Sequence, residues 1–287
     1  MEPNELRLLL PEPTSRDTKY SRGTVGFVTG SDAYPGAALL GVAGAQGTSP
    51  GFVRYVGPRR VGDLLLLAHP EVVVTESFAS AGPAQAWVLG SGIGISSQGR
   101  TLPHVPRVEM QLDNLRAALA EVPLAVIDAG ALDLIGATQL AAGAHHILTP
   151  HQGELCRLLN RLDPQNFVHP ERLDNLEFAL EATLRAAGLT GHTVLLKGSV
   201  TLVADPDGNS VSVGPNSPKL ATAGTGDVLA GIIGGIAAQN PMVAETSWLN
   251  IARLAIELHS KAAELAADSG AVTASAVASA VSQAISR

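Results

Sequence analysis

Short apolar runs recur along the chain, each closed by a glycine, an acid or a proline turn. Residues 24–30, Phe52–Val56, 71–75, Ala86–Leu89, 124–128, 146–148 and 193–198 read as strands. Their hydrophobicity is unbroken, not alternating, which marks strands covered on both faces. Between them lie stretches with helical spacing. Residues 107–120 place Val108, Leu112, Leu115 and Leu119 on one stripe, and Leu155, Leu158, Leu159 and Leu162 do the same after Thr149. Further helices are predicted over 35–47, 61–68, 171–187, 228–238, 245–267 and, capped by Thr273, 274–285. Thr201–Ala204 and Ser210–Val213 flank the turn signal Asp205-Pro206-Asp207-Gly208-Asn209 and predict a hairpin.

Two helix starts carry more detail. Pro35 suits the first position of a helix whose face is built of Gly36, Ala37, Ala38, Gly41, Ala43, Gly44 and Ala45. Such a face admits a large neighbour, or packs closely on a sheet. At the other start Thr149 suits an N-cap, Pro150 the first helical position, and Gln152 closes a capping box, which puts His151 in the first turn. Strands alternating with helices throughout predict a doubly wound, mostly parallel α/β sheet flanked by helices. Residues 1–287 are expected to form one domain, with 1–20 an extended lead-in. The loops of interest all follow strands, so they gather at the carboxyl edge of the sheet, where such folds bind ligands.

Composition narrows the chemistry. Hydrophobic residues make up 46% but aromatics only 3%, so the core must be Ala, Val, Leu and Ile. A net charge of −7 argues against nucleic acid or an anionic membrane as partner, and no run reaches the roughly eighteen apolar residues of a membrane span. One cysteine, Cys156, excludes an internal disulfide. With an acidic start where a signal peptide would be basic, these features predict a cytoplasmic protein.

The candidate chemistry centres on Ala221-Thr222-Ala223-Gly224-Thr225-Gly226-Asp227. Gly224 and Gly226 let backbone N–H groups approach an anion at the start of an apolar helix, and Asp227 stands where a carboxylate can take a proton from a hydroxyl. From this motif alone, a glycine turn with a helix-stabilising acid fits as well. Gly90-Ser91-Gly92-Ile93-Gly94 follows a strand but is no dinucleotide fingerprint, since Ile95 stands where the third glycine is needed.

The motifs resemble the ribokinase-like enzymes, and within them the NAD(P)H-hydrate dehydratases. The resemblance rests on Gly224-Thr225-Gly226-Asp227 together with Tyr34-Pro35-Gly36-Ala37-Ala38, Gly90–Gly94, Thr149-Pro150-His151-Gln152-Gly153-Glu154, Leu196-Lys197-Gly198 running to Thr201, and Leu258-His259. It implies dehydration of hydrated NADH or NADPH driven by ADP or ATP, with Asp227 as catalytic base. By the same resemblance Lys197, Gly198, Ser199, Val200, Thr201, Gly224, Thr225 and Gly226 bind the adenine nucleotide. Gly36, Ala37, Ala38, Gly92, His151 and Asp227 bind the hydrated dinucleotide.

Mg²⁺ is expected with the nucleotide, positioned through water by Glu154 and Asp128. No protein metal site is expected, since His145 and His146 lack a carboxylate at ligand spacing. The family implies a homotetramer, and the short segment before the first strand implies a stand-alone dehydratase without an epimerase domain. Lys219 stands near an expected glycine, Ala223 replaces another, and Gly130 stands where relatives carry a second acid. Two other readings share the glycine–aspartate site. One is a kinase for a hydroxymethyl group of a vitamin precursor; the other is a nucleotide-binding regulator with a dead site.

Overall fold

The computed structural model describes residues 6–94, 106–268 and 270–286, with 106–108 by backbone alone. One nine-stranded sheet runs in the order β3-β2-β1-β4-β5-β6-β7-β8-β9. Its strands are β1 Thr24–Val28, β2 Phe52–Val56, β3 Val73–Thr75, β4 Ala86–Leu89, β5 Leu124–Ile127, β6 His145–Leu148, β7 Thr193–Leu196, β8 Thr201–Ala204 and β9 Ser210–Val213. Pairings from β3 across to β7 are parallel, and β8 and β9 return antiparallel as the predicted hairpin. The helices are α1 Gly36–Gln46, α2 Arg59–Ala68, α3 Pro106–Glu121, α4 Gln152–Leu162, α5 Leu176–Thr190, α6 Thr225–Gln239, α7 Pro241–Thr246, α8 Leu249–Asp268 and α9 Ala274–Ser286.

The unbroken apolar runs follow from two cores. Along β5, Leu124 and Val126 enter one core while Ala125 and Ile127 enter the other. Helices α1, α2, α6, α8 and α9 cover the first face; α3, α4 and α5 cover the second. The strand order reverses between β1 and β4, the switch point outside whose carboxyl ends folds of this kind bind ligands, at the edge where the predicted loops lie.

The small residues of α1 serve a helix, not mainly the sheet. A Cβ on Gly231 would lie 1.9 Å from the Gly41 carbonyl oxygen, and one on Gly44 would lie 2.4 Å from that of Val228. Helices α1 and α6 therefore touch backbone to backbone, which fixes the start of α6.

Four element expectations need correction. The lead-in is not wholly extended: Arg7–Leu9 is a 3₁₀ turn, and Leu6 and Leu9 are buried in the first core. Helix 171–187 divides into a 3₁₀ turn Pro170–Asp174 and α5, because Asn175 caps a new start by accepting from Phe178 N–H. Helix 245–267 is broken at Ser247, where the buried Trp248 indole donates to the His145 carbonyl at 3.1 Å. Helix 228–238 begins three residues earlier, at Thr225. The predicted stripe residue Val108 lies outside the described side chains.

Candidate active site

The site begins with a left-handed backbone turn of the kind that favours glycine. Gly224 has φ +91° and precedes the first turn of α6. The Thr225 hydroxyl donates back to Leu220 O at 2.8 Å and Thr222 O at 2.9 Å, folding the loop under its own helix. Gly226 and Asp227 complete the turn. A Cβ on Gly226 would come within 3.6 Å of Lys197 Nζ, so the lysine ammonium lies against this turn.

Beneath it lies a buried polar cluster. Asp128, at the end of β5, accepts from Lys197 Nζ at 2.8 Å, Ser91 Oγ at 2.8 Å and Thr149 Oγ1 at 2.9 Å. Burial pushes the Asp128 carboxyl up, but the Lys197 charge and these donors outweigh it and hold the carboxyl below its ordinary range. Burial likewise pulls Lys197 down, and the charges of Asp128, Glu154 and Asp227 more than restore it. The pair is therefore ionised on both sides. Asp227 differs: burial, and then the like charge of Asp128, raise it to about 6 against the opposing pull of Lys197. A carboxylate of that basicity at a helix start is suited to accept a proton near neutral pH.

A cleft of about 520 Å³ opens beside α6. Lys197, Gly198, Ser199, Thr201, Thr225 and Gly226 line it, six of the eight residues for which the family resemblance implies nucleotide binding. Residues matching the profile of the NAD(P)H-hydrate dehydratase family extend over 25–287. The chain belongs to that family. It is 38% identical over 232 residues to the bifunctional NAD(P)H-hydrate repair enzyme Nnr of Mycobacterium tuberculosis, covering 79% of this chain and 43% of that one. It is 31% identical to the ADP-dependent (S)-NAD(P)H-hydrate dehydratase of Neisseria meningitidis serogroup B, covering 87% of this chain and 79% of the relative. The chain spans under half the length of the bifunctional relatives it matches. Among solved structures, the Bacillus subtilis ADP/ATP-dependent NAD(P)H-hydrate dehydratase, co-crystallised with ATP and Mg²⁺, superposes with a TM-score of 0.74. That match is 26% identical and covers 99% of this chain and 96% of the other. The fold is the ribokinase-like one expected.

Not every residue predicted for this dehydratase-family site faces the cleft. Val200 turns to the opposite side and packs on the second core, and Gly224 faces Leu40 and Ala274. The cleft gains Asn216, Leu220, Leu229, Ile256 and His259. Asn216 holds the end of β7 to the start of β8, donating to Gly198 O at 3.0 Å and Thr201 Oγ1 at 2.9 Å. His259 is buried with Nε2 unpartnered; burial lowers it to about 4, against a hydrogen bond with the Thr225 backbone. A lone histidine in the apolar run of α8 is the signal that marks it. Lys219 pairs with Glu264, which also accepts from Ser217 Oγ. Lys219, which stands near an expected glycine, does not line the cleft.

Of the residues expected to bind the dinucleotide, Ala37 and Gly92 meet where the loops after β1 and β4 lie side by side. A Cβ on Gly92 would lie 2.5 Å from Ala37 Cβ, and Ser31 Oγ donates to Gly92 O at 2.8 Å. Gly36 is exposed, but Ala38 is fully buried against the Gly30 turn, so its side chain serves packing. His151 differs from expectation. It is itself the N-cap of α4: its Nδ1 accepts from Gly153 N–H at 3.0 Å, and Glu154 accepts from His151 N–H at 2.8 Å. Thr149 does not cap, because Asp128 and the Ile127 carbonyl draw its hydroxyl inward. The His151 side chain stays exposed, while the backbone at His151 forms an isolated parallel β-bridge with Lys197.

Among the described residues no three His, Cys, Asp or Glu side chains come together to hold a metal. Asp128 accepts from three donors and Glu154 from the His151 amide. His146 and His192 stack at the opposite, amino edge of the sheet with ring centroids 4.9 Å apart. No helix among the described residues is long and apolar enough to cross a membrane.

Proposed function

We propose that this chain dehydrates hydrated NADH or NADPH, using ADP or ATP to remove the hydroxyl. The observation that carries the reading is Asp227, a base raised to about 6 in the first turn of α6, next to Gly226, which lines the cleft together with Lys197. In this reading Asp227 takes the proton of the ring hydroxyl as its oxygen attacks the terminal phosphorus of the nucleotide. The bond to the bridging oxygen breaks, and the shortened nucleotide leaves. Lys197 and the N–H groups at the start of α6 stabilise the charge on the transferring group.

Phosphate then departs from the ring carbon, pushed by the ring nitrogen lone pair, and loss of a proton from the neighbouring carbon restores the reduced nicotinamide. The apolar walls Leu220, Leu229 and Ile256 suit the adenine, and the polar end with Lys197 suits the phosphates. Mg²⁺ bound to those phosphates would neutralise charge there. It needs no protein cage, and Asp128 and Glu154 would position it through water. The reading extends to a cytoplasmic homotetramer, which light scattering on the purified protein would test.

The experiment is to supply hydrated NADH with ADP or ATP and Mg²⁺ and follow the near-ultraviolet absorbance of the reduced nicotinamide. Nucleotide-dependent recovery is expected. Stable accumulation of a phosphorylated product without recovery would instead favour a kinase.

A further inference from the structure

Asp128 is only 2% exposed, yet donors reach it from the ends of three other strands: Ser91 after β4, Thr149 after β6 and Lys197 after β7. The backbone there is forced. Ala129 has φ +46°, a left-handed conformation rarely adopted with a side chain, and a Cβ on Gly130 would lie 1.8 Å from Ile93 O. Strain of this kind persists only where the surroundings over-determine it, and it clusters at functional sites. A buried ion pair is also a poor device for stability alone, since apolar packing does as well or better. What the pair does achieve is placement. The ammonium is held 2.8 Å from Asp128 while lying against the turn that carries Asp227.

We propose that Asp128 is a positioning residue: it holds the Lys197 ammonium off Asp227, keeping the one free for phosphate and the other free for a proton, and through Ser91 ties the Gly92 loop to the same point. The roles given to Lys197 and Asp227 rest on the proposed function; the placement does not. The charged groups acting on Asp227 are Asp128 and Lys197, and Glu154 acts on Lys197 from 4.0 Å. His259 of α8 is neutral, and helices α1 and α9, packed on α6, carry no titratable side chain.

The test titrates Asp227 directly by carboxyl carbon NMR of aspartate-labelled protein, the signal being assigned by its loss in Asp227→Asn. Wild type should titrate near 6. In Asp128→Asn the like charge is gone and Lys197 is released towards Asp227, so the midpoint should fall by roughly one pH unit or more. The acid limb of the pH–rate profile should move the same way. In Lys197→Gln the midpoint should instead rise above wild type, which keeps the proposal testable if Asp128→Asn does not fold. No substrate is needed, so failure to turn over hydrated dinucleotide would remove the functional reading and leave this one standing. An Asp227 midpoint unmoved in either variant, with only a lowered melting temperature, would overturn the proposal and make Asp128 structural.

Discussion

Asp227 and His151 illustrate how one side chain can act on stability and chemistry in different senses. The folded-state pKa of Asp227 lies above the ordinary carboxylate value of 3.8, so its ionisation opposes folding. Its contribution is fully present below about pH 4 and is lost as pH rises through about 6. Asp227→Asn should therefore stabilise the protein at pH 7.5 by about 1–2 kcal/mol, after allowing for the lost attraction to the helix start. At pH 4 it should change little, and melting curves at the two pH values check the sign. His151→Ala should cost about 1 kcal/mol of stability, because the side chain caps α4. Restoration of that loss by His151→Asn or His151→Asp, without restored substrate affinity, would separate capping from binding.

At the scale of elements, the contact of α1 with α6 decides where Asp227 stands. Gly231→Val places side-chain atoms into the Gly41 carbonyl, which cannot yield without separating the helices. The expected cost is about 1–3 kcal/mol by urea unfolding, together with a loss of nucleotide-induced thermal shift as the start of α6 moves. An unchanged shift would mean that the α6 start is held from elsewhere.

Most strands were legible because a strand covered on both faces is simply an unbroken apolar run. The start of α6 was less so: Thr225 bonds backward to Leu220 and Thr222, and a polar glycine loop carries no periodicity to announce the turn. The break at Ser247 was hidden because apolar spacing continues across it, while its cause, the Trp248 bond to β6, is a tertiary contact. The Asp128 cluster ties that residue to partners up to 69 positions away, which no local pattern records. Even the cap of α4 was misassigned for that reason, since Thr149 suits a cap until Asp128 claims it.

For the whole molecule, both edges of the sheet matter. His146, His192 and His259 are buried and held neutral, lowered to about 3, 4 and 4, in each case chiefly by burial. A histidine depressed in the folded state gives its full stability above its ordinary pKa of 6.5 and loses it as pH falls. Offset in part by Asp227, stability should drop on the order of 3–5 kcal/mol between about pH 7.5 and 5, measurable by urea unfolding. His146→Leu should remove roughly a third of that slope. An equal slope in the variant would place the acid sensitivity elsewhere. The central claim is that Asp227 is the base of a nucleotide-driven dehydration, and it is tested most directly by the initial rate of Asp227→Asn on hydrated NADH with saturating ADP or ATP. The account predicts a fall of roughly a hundredfold to ten-thousandfold with nucleotide affinity unchanged or tighter. A variant working within a few-fold of wild type would contradict it.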